Sequence, residues 1–406
     1  MDEAEMSNLK LFNIAAVITM VLVWVPGCAS KPTRTATERL LLKGYSTVII
    51  SPDGKRVAYD NRYEIRPEGF RARLDSGGLI VDGVERKQYE KIGYATFSPD
   101  SKRLAYAAAV NNKWVAVIDG VEGVKQYDDI KFLTFSPDSK RLLYTAQVGG
   151  KWQVVVDGIE GKQYDFLDSP IFSPDSKHYA YIALTGRNML EGKLFVVEDG
   201  VESQPYKYLR DLVFSPDGRL AYYAQKFDSR YIIMENGAER DVGNAAILES
   251  SLAFTPDNRL VYFTPAYYMV GTAKVEMNIG MALSPVLSPD GKRVAYLKSS
   301  SALSGRPMVR MYIDGKKTKR YDGLGCPVFS LDSKHLAYAA YFHDTKGWFV
   351  VVDGTEGKGY DRLLTPGYTN LASMGSSGTV LFDSPNSIHY AAQSGSSIYW
   401  VEETIK

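Results

Sequence analysis

The residues from which this 406-residue chain could build chemistry are few: four histidines, two cysteines, and an aspartate that recurs through the chain. His178, His335 and His389 lie in near-identical segments, the first two where sister segments have Arg, so packing or edge roles are expected. His343, in "YFHDTKG", has no such counterpart and stays a candidate. There is no HExxH, no CxxC and no other metal-ligand spacing, so no metal site is expected. The absence of a GxSxG elbow removes an α/β-hydrolase reading. The recurring Asp or Asn suits calcium by type, but turn geometry alone accounts for each copy. Lys-Arg pairs (Lys55-Arg56, Lys102-Arg103, Lys140-Arg141, Lys292-Arg293) would ring one face, where anionic lipid or polymer could meet them. Each pair has an Asp beside it, and the net charge is only +1, so a neutralised rim is expected and nucleic acid is not. No catalytic constellation and no cofactor is expected.

The elements that must position these residues are repeats. "FSPDSKRLAY" ends at Tyr106, and variants of it end at Tyr59, Tyr144, Tyr181, Tyr222, Tyr262, Tyr296, Tyr338 and Tyr390. The tyrosines are spaced by 47, 38, 37, 41, 40, 34, 42 and 52 residues, a period typical of propeller blades. Ser-Pro-Asp-Gly fits a type I turn closed by a left-handed residue, with short apolar runs on both sides. Ser101, Ser139, Ser176 and Asn258 stand where Gly belongs, at some cost in strain.

A second hairpin follows in most units, as in "KWVAVIDGVEGVKQYD" and "KWQVVVDGIEGKQYD". Four antiparallel strands per unit, a to d, make a blade. The fold expected is all-β: a propeller of eight or nine four-stranded blades, nine by hairpin count. The unit at 254–286 is short and expected to be irregular. "TERLLLKGY" (Thr37–Tyr45) is read as the outer strand of the last blade, closing the ring.

With its "FSPDGK-x-LAY" units the chain resembles the WD40-like (PD40-type) repeat propellers of the TolB kind. The resemblance runs from about residue 40 to the end. It implies the fold and leaves function open, because one fold hosts many functions. TolB proper has an α/β domain before its propeller, for which no room is expected here, so TolB partners are not carried over.

"LFNIAAVITMVLVWVPGCAS" (Leu11–Ser30) is an apolar run ending in small residues, the pattern of an export signal. Val25-Pro26-Gly27-Cys28 resembles the bacterial lipobox, which implies acylation at Cys28. A plain signal or an uncleaved anchor are the alternatives, and translation can start at Met1 or Met6. The expected layout is a signal at 1–27, a flexible tether at 28–37 and one propeller domain at 38–406. The protein would be an exported lipoprotein, at the outer membrane or periplasmic face if the cell is diderm. Cys326 is expected to be a buried small hydrophobe.

In a four-stranded blade the a–b and c–d turns share one face, and the b–c and d–a loops the other. The turns are near copies here, whereas the loops vary. Variable loops on one rim suit partner binding. The candidates are Arg187, Asn188, Phe227, Arg230, Tyr267, Tyr268, Phe342 and His343. The expected function is a non-enzymatic scaffold for an envelope protein or cell-wall polymer. The alternative is a propeller enzyme with a channel-centred site, such as a glycan hydrolase, lyase or oxidoreductase.

Overall fold

The structure, a computed structural model, describes residues 17–20, 34–43, 48–60, 63–65, 71–73, 77–186, 192–243, 247–248, 251–277, 282–300, 308–343, 347–364 and 380–406. These residues form nine antiparallel blades of four strands, arranged as a β-propeller. Blade 2 shows the pattern: a (Lys91–Phe97), b (Leu104–Val110), c (Lys113–Ile118) and d (Val121–Glu122). Strand a is the inner edge of each blade and faces the central channel.

The ring closes through the chain's N-terminal part. The closing strand, Arg34–Lys43, pairs antiparallel with Ser397–Ile405 and serves as strand d of blade 9. Arg34 to Thr37, assigned from sequence to the tether, are already strand. Val17–Met20 pairs outside it in the same sheet.

Why the repeat specifies blades is visible in strand b. All nine repeat tyrosines are buried, from 1% exposed at Tyr338 and Tyr390 to 8% at Tyr59. The alanines around Tyr106 (Ala105, Ala107, Ala108) are fully buried, and their small size lets neighbouring blades approach. Tyr106 meets the ring of Tyr89, which ends strand d of the preceding blade, edge to face at 6.1 Å. Tyr127–Tyr144, Tyr164–Tyr181, Tyr206–Tyr222, Tyr321–Tyr338 and Tyr360–Tyr390 repeat the contact.

The outer wall is stitched as well. The Tyr127 hydroxyl donates to Glu160 of the next blade at 3.0 Å, and Lys125 pairs with the same carboxylate at 2.8 Å. At the closure Glu38 takes this role, accepting from Lys358 and from the Tyr360 hydroxyl. The closing strand therefore reproduces a contact that consecutive blades make elsewhere.

Candidate binding face

The turn face is built from the Ser-Pro-Asp segments. In blade 2 the Ser98 hydroxyl donates to Asp100 at 2.6 Å, the Lys102 N–H donates to the same carboxylate at 3.2 Å, and the Arg103 N–H donates to the Ser98 hydroxyl at 2.9 Å. The Ser98 hydroxyl, and after it the Lys102 N–H, hold the Asp100 carboxyl below its ordinary range. The same arrangement brings Asp175 down to about 2. The recurring aspartates thus spend their oxygens on the turn.

The Lys-Arg pairs divide their labour. Lys102 and Lys140 project into solvent, each 81% exposed. Arg103 is instead a clasp between blades. Its Nε pairs with Asp119 in its own c–d turn at 3.0 Å, and its Nη1 donates to the carbonyls of Ser139 and Lys140 in blade 3. Its guanidinium also lies 5.2 Å from the centre of the Phe135 ring in that blade. Arg56, Arg141 and Arg293 make the same set of contacts. His178 and His335 replace Arg in blades 4 and 8 and keep only the pairing, at 2.6 Å to Asp199 and Asp353. His389 lies in the closing blade, 2.5 Å from Asp383 and stacked on Trp400. The turn face is occupied with holding the ring together.

On the opposite face, the Asp that follows the d-strand tyrosine pins the next b–c turn in blades 2, 3, 7 and 8. Asp128 accepts from the Gly149 N–H at 2.7 Å, Asp165 from Gly186 at 2.8 Å and Asp361 from Gly395 at 2.6 Å. Beyond these anchors the loops differ. In blade 5, Phe227 stands 57% exposed at the tip of a turn closed by Lys226 and Arg230. Arg230, 55% exposed, pairs with Asp228 at 2.8 Å. In blade 8, exposed His343 has its N–H on Asp322 and its ring 6.5 Å from that of Tyr341, which packs on Trp348.

Three candidates need correction. Tyr267 and Tyr268 lie in strand c of blade 6 (Tyr267–Val270), and Tyr268 is 5% exposed, packed on Phe263. Blade 6 has no Asp-Gly at its c–d turn to mark strand c in the sequence; the left-handed residue there is Gly271. Phe342 ends strand b of blade 8 (Leu336–Phe342) and is half-buried against Tyr321 and Phe349. Arg187, Asn188 and Cys28 lie outside the described residues. Tyr341 and Trp348 support His343 without being loop residues, and the only sequence sign of them is that the Trp near the start of strand c recurs as Trp114 and Trp152.

Cys326 is exposed, not buried. Strand a of blade 8 is interrupted at Gly325-Cys326-Pro327, where proline cannot donate to the ladder, and the thiol stands 3.7 Å from the Ser284 hydroxyl of blade 7. Inner strands carry backbone strain too: Phe132, Asp211 and Ser284 have φ of 52°, 54° and 47°. Among the described residues no group of three or more His, Cys, Asp or Glu could hold a metal ion.

No protein-family model matches the chain, and no curated protein matches it. Among solved structures it is similar to the eukaryotic initiation factor, at 11% identity over 90% of this chain and 91% of that one, TM-score 0.45. It is similar to the Dos1 propeller, at 13% identity over 76% and 91%, TM-score 0.41. It is also similar to TolB from Acinetobacter baumannii, at 13% identity over 77% and 63%, TM-score 0.28. These likenesses concern the fold alone.

Proposed function

We propose that the protein is exported, is anchored to a membrane by lipid on Cys28, and acts as a non-enzymatic scaffold that binds an envelope protein or cell-wall polymer through its loop face. The observation that supports this most is where the closing strand enters the ring. Arg34 lies opposite Ile405, whose N–H bonds to Asn386 in the a–b turn of blade 9, so the strand starts at the turn face. From Cys28 to Arg34 an extended chain reaches roughly 20 Å. A lipid on Cys28 would therefore hold the clasped turn face toward the bilayer and leave Phe227, Arg230 and His343 pointing away from it.

The test is Cys28→Ser. The parent should label with fatty acid and fractionate with membranes, and the variant should do neither. A variant that labels and fractionates like the parent removes the anchor from the account. A channel-centred enzyme is the second reading, favoured by the strained inner strands and the exposed Cys326 thiol.

A further inference from the structure

Blade 7 contains a row of three cations. Lys298 on strand b (Val294–Ser300) is the register partner of Arg310 on strand c (Met308–Ile313), and Arg310 is the partner of Arg320 on strand d (Lys316–Tyr321). Register partners have their Cβ atoms about 5 Å apart, and like charges so placed are destabilising. Lys298 and Arg310 are half-buried and Arg320 is exposed. Among the described residues the Arg310 Nε is buried with no hydrogen-bond partner. Among the described residues none of the three has an ion pair, and the flanking segments 278–281 and 301–307 contain no Asp or Glu.

Other blades fill these places differently. Two residues after the repeat tyrosine stands a fully buried alanine, as at Ala108, Ala224 and Ala340. Its partner is apolar: Val115, Ile232 and Phe349 respectively. Blade 7 thus has Lys and Arg in a position pair that is packed core in blades 2, 5 and 8 and is Ala146 opposite the uncharged Gln153 in blade 3. The neighbouring blade makes room for them. Strands b, c and d of blade 6 have four residues each, against seven, six and six in blade 7. Blade 6 covers Tyr296 with Val261, Phe263 and Tyr268. Lys298 lies over the stacked rings of Tyr296 and Tyr312, at 5.6 and 5.3 Å.

We propose that this seam between blades 6 and 7 is a binding site for a phosphate group. Cations placed against packing and without carboxylates need an outside anion to offset their desolvation and mutual repulsion. A phosphate monoester brings up to two negative charges and three acceptor oxygens, one for each cationic head. The Arg forks suit it bidentately, and the Lys adds a point charge. The group belongs to a soluble phosphomonoester or to a lipid headgroup.

The experiment is thermal unfolding of the full chain in inorganic phosphate against chloride at equal ionic strength, with sedimentation on phosphatidic acid vesicles as the second arm. Phosphate should raise the parent's Tm. Lys298→Ala and Arg310→Val, which restore the residue types of other blades, should raise Tm without phosphate and abolish the response. Arg320→Gln, at an exposed position, should not lower Tm without phosphate, since it removes one like-charge neighbour of Arg310, and should weaken the response at least tenfold; it decides the matter if the other variants fold poorly. Sedimentation with phosphatidic acid but not phosphatidylcholine vesicles, lost in Arg320→Gln, would assign the lipid as source. A parent indifferent to both phosphate and vesicles overturns the proposal. So does an Arg320→Gln variant that responds like the parent, or a fall in Tm on Lys298→Ala without phosphate.

Discussion

The backbone N–H of Asp100 in blade 2 donates to the hydroxyl of Ser139 in blade 3, 2.9 Å away. Ser139 has φ of 66°, a left-handed conformation that favours glycine. Ser101, Ser176 and Ser333 share the conformation and accept from Asp53, Asp138 and Asp290 of the preceding blade, and Asn258 accepts from Asp217 through its side-chain oxygen. Where the position is Gly, as at Gly54, Gly218 and Gly291, there is no side chain to accept. The apparent misfit of Ser in a Gly position is therefore a seam contact.

Ser139→Ala keeps the left-handed strain and loses the bond, so it should lower stability by about 1 kcal/mol. Ser139→Gly loses the bond but relieves the strain, and should stay within about 0.5 kcal/mol of the parent. Denaturant unfolding of both variants checks this; a Ser139→Ala variant as stable as the parent would show that the seam bond contributes nothing, and Ala as stable as Gly would show that the left-handed strain costs nothing.

Tyr106 is 2% exposed between blades 1 and 2. Tyr106→Ala should lower stability by about 3 kcal/mol, as other large core truncations do. An unchanged unfolding midpoint would mean that the blade contact does not hold the ring.

His178 has its pKa raised, chiefly by the hydrogen bond to Asp199. A raised folded pKa contributes stability below the ordinary value of 6.5 that is lost as pH rises through the folded value. His178→Arg keeps its charge at every such pH and places a guanidinium where Arg103 and Arg141 clasp. The Tm advantage of the variant over the parent should widen between pH 5.5 and pH 8.5. A constant difference would show that the His178 charge is not coupled to folding.

The turn aspartates titrate in the opposite sense. Asp53, Asp100, Asp138, Asp175, Asp290 and Asp332 all have lowered values. Their contribution is complete above the ordinary 3.8 and is lost as pH falls toward about 2, the value at Asp175. Tm should fall steeply between pH 4 and pH 2, and Asp175→Asn should make that fall shallower. An acid limb of equal slope in parent and variant would contradict this account of the turn.

Much of the fold is legible in the sequence because each repeat contains its own turn. The Ser-Pro-Asp segments and the terminal Tyr mark strands a and b, Asp-Gly marks c and d, and counting them yields nine blades. What is not legible depends on neighbours one repeat away. Arg103 reads as half of a basic pair until Ser139 and Phe135 are seen beside it. Lys298, Arg310 and Arg320 form a row only once the register of three strands is known. Tyr268 reads as a loop residue because blade 6 lacks its Asp-Gly, and Cys326 as core because Pro327 hides the break in strand a.

We infer that the loop face binds the partner while the turn face holds the ring together. The most direct measurement is capture of the binding partner from native membranes by the tethered protein, compared across two double variants. Phe227→Ala with Arg230→Ala changes exposed residues of the loop face, and should move stability by no more than about 0.5 kcal/mol. It should nevertheless weaken capture by the equivalent of about 2 kcal/mol, roughly thirtyfold. Lys102→Ala with Lys140→Ala, on the turn face, should leave capture unchanged. Capture lost only with the lysines, or retained in both variants, would contradict the account and move the working surface to the turn face or to the channel.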